Sequence, residues 1–94
     1  MGIVWLGRAQ TDLYDIQDYV EIDNPAAART LLQKIDSTVR LLEHQPSLGR
    51  AGRVPGTREL IIPGTPYIVA YKVTRQQLAV VAVIHGARQW PKSF

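Results

Sequence analysis

Cysteine is absent from this 94-residue chain. It therefore has no disulfide framework and no thiolate for catalysis or zinc, and nothing in it requires an oxidising compartment. A cytoplasmic location is the expectation. Long apolar runs are also missing. None approaches the roughly 18–20 residues that cross a bilayer, and the start from Met1 to Leu6 lacks the basic flank and apolar length of a secretion signal. Repeats and low-complexity stretches are absent, and the six prolines fall at what read as element boundaries. What is present, 46% hydrophobic residues and a net charge of +3, is the composition of a single folded domain, expected over residues 1–94. A domain this small buries roughly two-thirds of its unfolded surface around one core, so its function must sit on the outside of that core.

Negative charge is scarce in one half only. Residues 1–49 carry four basic and seven acidic side chains, a balance of −3, whereas residues 50–94 carry seven basic side chains against Glu59 alone, a balance of +6. The second half is the one suited to meeting phosphate or an acidic protein, unless its charge simply faces solvent.

Ile3 to Leu6 is a short apolar run ended by Gly7, consistent with an opening strand. From Ala9 to Ile22, Leu13, Ile16 and Val20 recur at helical spacing. Asp12, Asp15 and Asp18 lie around the outside of that helix and, with no His or Cys nearby, read as solvated charges and not as a metal site. Asn24 followed by Pro25 signals a second helix start. The stripe Ala28, Leu31, Leu32, Ile35, Val39 and Leu42 carries that helix to before Pro46, and so short a connection folds the two helices back as an antiparallel hairpin. His44, in the last turn, reads as structural.

Ser47 to Gly56 reads as a glycine-spaced loop presenting Arg50 and Arg53. Three β-rich runs follow, Thr57–Ile62, Tyr67–Thr74 and Leu78–His85, joined by links short enough to require an antiparallel meander, with Pro63-Gly64 suiting a type II turn. Leu78 to Ile84 is apolar on both faces, so the sheet needs cover on both sides. The hairpin covers one. The other is closed by the tail from Trp90 to Phe94 or stays open as an apolar patch for a partner.

The order of strand, helical hairpin and meander, together with several short motifs, resembles the RelE/ParE superfamily of bacterial type II toxin–antitoxin toxins across essentially the whole chain. The motifs are Asp12-Leu13 with Ile16 and Tyr19, Asn24-Pro25-Ala26-Ala27, Leu42 to Pro46 with Gly49-Arg50, Gly56-Thr57-Arg58-Glu59-Leu60, Tyr67 to Val73 and Val83 to Trp90. The resemblance implies an α+β fold of β-α-α-β-β-β order, the helical hairpin packed on one face of a small antiparallel sheet. It implies a toxin neutralised in a hetero-oligomer by a cognate, largely acidic antitoxin of ParD-like or RelB-like type. No metal, cofactor or membrane is implied.

The superfamily divides into RelE-like endoribonucleases, which cut messenger RNA on the ribosome, and ParE-like inhibitors of DNA gyrase. RNA cleavage needs a base, an acid and cations in one cluster. Arg50, Arg53, Arg58, Glu59, His85 and Arg88 offer those chemistries, with Arg58, His85 and Arg88 as the catalytic candidates. Departures from the RelE-like pattern point the other way. Ile68 stands where those nucleases carry an arginine, residues 45–71 contain no lysine, and the C-terminal catalytic tyrosine is missing. An apolar residue at Ile68 and the Ile84-His85 strand end are ParE-like features. The expectation is therefore a non-enzymatic gyrase inhibitor, with the mRNA endoribonuclease and a non-toxic antitoxin-binding remnant as alternatives. Arg50, Arg53, Arg58, His85, Arg88 and Trp90 are the expected contacts with target or antitoxin. His85 and Trp90 also have structural readings, the first closing a strand and the second acting as a lid over the sheet.

Overall fold

The computed structural model describes all of residues 1–94. Its elements are β1 (Gly2–Trp5), α1 (Gly7–Asp23), α2 (Pro25–Arg40) continued by a 3-10 turn over Leu41–Glu43, β2 (Arg50–Ala51), β3 (Arg58–Ile61), β4 (Tyr67–Val73) and β5 (Gln77–His85). The expected hairpin and meander are both present. The sheet has five strands in the order β1-β5-β4-β3-β2 and is mixed: β2 to β5 pair antiparallel, while β1 joins β5 in parallel. The parallel pairing follows from connectivity, because α1, α2 and the three later strands lie between β1 and β5 in sequence and return the chain beside its start. β2 falls within the segment expected as a loop. It is two residues long, too short to leave a period-two signal.

The Asn24 cap forms as expected, its Oδ1 accepting the Ala27 N–H at 3.0 Å with Pro25 in the first turn of α2. α1 begins two residues earlier than the stripe suggested. Its N-terminus at Leu6 has no side-chain cap, so no local signal marked it. The turn at Pro63-Gly64 closes with the Thr65 N–H on the Ile62 carbonyl at 3.2 Å and Gly64 at φ +74°, as a type II turn requires.

The hairpin packs on one sheet face, where Ile35, Val39, Leu42, Ile62, Val69, Tyr71, Leu78 and Val80 are fully buried. Each large aliphatic side chain there contributes about 1.5–3 kcal/mol of transfer free energy. Tyr71 crosses this core to its far end. Its hydroxyl donates to the Pro46 carbonyl and accepts the Gly49 N–H, both at 2.8 Å. Burial raises its pKa, against the lowering effects of the Gly49 amide and the Arg58 charge. The contact is so close that a Cβ on Gly49 would lie 2.7 Å from the Tyr71 ring.

On the opposite face, Ala70, Val81, Ala82 and Ile84 form a second buried cluster, and Trp90 and Phe94 lie against it. Of the two ways to close this face, the tail is the one used, although Ile61 at its border stays 49% exposed. Asp12 differs from expectation. β1 ends at the Trp5–Val80 pair, which leaves the outer edge of β5 bare from there on. The Asp12 carboxylate takes the place of a strand partner, accepting the Val83 N–H at 2.9 Å. It is part of the packing between α1 and the sheet and not a freely solvated charge.

Candidate functional site

The candidate residues separate into two groups on different parts of the molecule. The first is built around Glu59, whose side chain is 1% exposed on the tail-covered face. Arg50 Nε and Nη2 donate to its Oε1 at 3.3 and 3.0 Å. The Arg53 backbone N–H and Nε donate to Oε2 at 2.7 and 3.1 Å, and Arg53 Nη2 donates to Oε1 at 3.2 Å. Burial alone would push the Glu59 carboxyl up. These hydrogen bonds and the Arg53 charge outweigh it and hold the group below its ordinary value. The Arg53 guanidinium also stacks on Trp90, 3.9 Å from the ring centroid, so the carboxylate, the arginine and the tail form one continuous assembly. The Trp90 indole N–H is buried against the sheet without an acceptor.

Arg58 stands apart from that cluster. Its Nη1 donates to the Gly49 carbonyl at 2.7 Å and more weakly to the Ser47 carbonyl, tying down the segment ahead of β2. Three of the expected contact arginines thus have work inside the fold. Arg50 and Arg53 nevertheless keep about half of their side-chain surface in solvent and share a single negative charge, so the patch remains net positive.

The second group lines a cleft of about 570 Å³ between α1 and the end of β5. Arg8, Asp15 and Tyr19 stand on the helix wall, with Tyr67, His85 and Arg88 across from them. His85 Nδ1 accepts the Ala87 N–H at 3.1 Å, and its ring meets the Tyr67 ring edge-on at a centroid distance of 5.7 Å. The ring therefore satisfies a local backbone donor at the strand end. Asp12 and Arg8 sit on the same wall, 3.6 Å apart, and the Arg8 guanidinium lies 5.1 Å from the centroid of the Phe94 ring.

The set Arg58, His85 and Arg88 is not assembled. His85 pairs with Tyr67 and Arg58 with Tyr71, on opposite sides of β4. Four residues along a strand and two strand spacings across separate their backbones by on the order of 15 Å. Ile68, paired with Ile84, is 8% exposed on the sheet face that the tail covers. No group of three or more His, Asp and Glu side chains comes together to hold a metal ion. The sequence reading missed the helix wall of the cleft, because Arg8, Asp15 and Tyr19 lie more than 60 residues from His85 in sequence and no local pattern links them.

This arrangement of two helices on one face of a five-stranded mixed sheet matches a solved chain titled "Chromosomal ParDE TA system from P. aeruginosa". The TM-score is 0.84 and the identity 25%, covering 90% of this chain and 95% of that one. Residues 3–90 match the family described as the ParE toxin of the type II toxin–antitoxin system parDE, and the chain belongs to that family. Among curated relatives it is 38% identical over 90 residues to "Putative toxin Y4kP" of Sinorhizobium fredii, covering 96% of this chain and 93% of the relative. It is 29% identical over 86 residues to "Toxin RelE2" of Caulobacter vibrioides, covering 92% and 96%. No helix of the chain is long and apolar enough to cross a membrane.

Proposed function

We propose that this ParE-family toxin arrests growth in the bacterial cytoplasm by binding DNA gyrase, without catalysing a reaction itself. A cognate acidic antitoxin, in a hetero-oligomer with it, holds it inactive. The observation that carries the reading is the fate of its cations. RNA cleavage needs several of them converging on one phosphate with an acid and a base. Here Arg58 is bound to backbone carbonyls, Arg50 and Arg53 converge on Glu59, and His85 lies across the sheet from all three; of the two arginines in its own cleft, Arg8 is held by Asp12, which leaves Arg88 as the one unpaired cation beside it. Such a chain is better suited to binding a macromolecular surface than to cutting a phosphodiester. The cleft carrying His85 and Arg88 is the docking face this reading assigns. The patch of Arg50, Arg53 and Trp90 supplies positive charge for an acidic antitoxin segment.

The test is to induce the chain in a bacterial host without an antitoxin while following DNA and protein synthesis separately by pulse labelling. Inhibition of purified DNA gyrase by the full chain is measured alongside. Growth arrest with DNA synthesis falling first, together with loss of supercoiling, is the expected result. Protein synthesis falling first, with cut transcripts, would overturn the gyrase reading in favour of the endoribonuclease. Harmless expression would leave an antitoxin-binding remnant.

A further inference from the structure

His85 does more than line the cleft. The turn that follows it is closed at three points. The Ala87 N–H donates to His85 Nδ1 at 3.1 Å, the Arg88 N–H to the His85 carbonyl at 3.0 Å, and the Gly86 N–H to the Pro66 carbonyl at 2.7 Å. A Cβ on Gly86 would sit 3.2 Å from the Ile68 Cδ1, so the turn is seated tightly against β4. The Tyr67 ring stands at 82° to the imidazole and fixes its plane. A nitrogen that accepts an amide N–H presents its lone pair there, so the neutral ring carries its proton on Nε2. Nδ1 and Nε2 occupy opposite sides of the imidazole, and with Nδ1 turned to Ala87 the Nε2–H faces away from the turn. The neighbouring Arg88 pairs with no carboxylate in the fold: on the facing wall Asp12 is already engaged by the Val83 N–H and Arg8, and Asp15 forms no ion pair with His85 or Arg88.

We propose that His85 is a partner-binding residue acting as a neutral hydrogen-bond donor. The Ala87 amide holds it as the Nε2–H tautomer, and that N–H and the Arg88 guanidinium share one carboxylate of the protein docked in the cleft. This rests on the cleft being the docking face. It makes the histidine a geometrically fixed donor, and it requires an Asp or Glu at the corresponding point of the partner.

Two measurements test it. Long-range ¹H–¹⁵N NMR on the full chain reads the tautomer directly, with Nδ1 expected in the unprotonated range and Nε2 in the protonated range. Half-inhibition of gyrase supercoiling is then compared for the wild type, His85→Gln and His85→Asn. Gln places an amide nitrogen near the Nε2 position and keeps the donor. Asn keeps an acceptor for the Ala87 N–H but does not reach the partner. Gln is expected to stay within about threefold of the wild type and Asn to weaken inhibition about tenfold, the scale of one lost hydrogen bond. Arg88→Ala is expected to combine less than additively with His85→Asn, because both act on the same carboxylate. A proton on Nδ1, an Asn variant equal to the wild type, or equal losses in Gln and Asn would overturn the proposal. If the wild type leaves gyrase untouched, the gyrase reading fails separately. The variants are then scored by growth arrest on induction, where the same ordering is expected and equal arrest overturns the proposal.

Discussion

Replacing Glu59 by Gln keeps the side-chain volume and removes one buried charge. The carboxylate accepts five hydrogen bonds from Arg50 and Arg53. An amide in its place would turn an NH₂ group toward some of those donors. Breaking a buried ion pair from one side costs about 3–5 kcal/mol. The two guanidinium groups here are 52% and 41% exposed and regain water, which lowers the expected loss to about 2–3 kcal/mol. For a domain whose total stability is about 5–14 kcal/mol, that is a large fraction. The melting temperature should fall by about 10–20 °C, read by circular dichroism with urea titrations in parallel. The pH dependence adds a sign. The folded-state pKa of Glu59 is depressed, so its contribution is present above the unfolded-state value and disappears as pH falls through the folded-state value. The stability curves of the wild type and Glu59→Gln should therefore separate at neutral pH and converge in acid. A loss below about 0.5 kcal/mol, the range of ordinary surface changes, would refute the reasoning, as would curves that stay parallel into acid.

Tyr71→Phe strands the buried Gly49 N–H and should cost about 1–3 kcal/mol in urea unfolding, with a native-like fold by circular dichroism. Asp12→Ala leaves the Val83 N–H without its acceptor and should cost about 1–2 kcal/mol, with faster hydrogen exchange at that amide. Arg53→Ala removes the stack on Trp90 and should shift tryptophan emission to the red and speed proteolysis of the tail; an unchanged spectrum would contradict the contact. Arg88→Glu should abolish growth arrest while leaving the melting temperature within a few degrees, because Arg88 forms no ion pair within the fold.

The parts of the fold legible in the sequence were those with local causes. The Asn24-Pro25 cap, the stripe of α2, the Pro63-Gly64 turn and the apolar runs of β4 and β5 each have a signal within a few residues. The start of α1 at an uncapped Leu6, the two-residue β2 and the parallel docking of β1 have none, and only tertiary packing reveals them. The candidate site divides in the same way. His85 and Arg88 stand out through residue type and position near a strand end. That Arg50 and Arg53 both turn to Glu59, or that Asp12 serves as a sheet partner, depends on which residues the fold makes neighbours.

The unequal lengths of β1 and β5 bind two events together. Because Asp12 on α1 supplies the acceptor that a longer β1 would have provided to Val83, the helical hairpin cannot lift from the sheet without leaving a strand donor unsatisfied. Undocking of α1 and release of the Val83 amide to solvent therefore belong to one opening, while β5 stays paired with β4. The exchange rate of the single Val83 amide therefore reports how often the helix wall of the cleft lifts from the sheet.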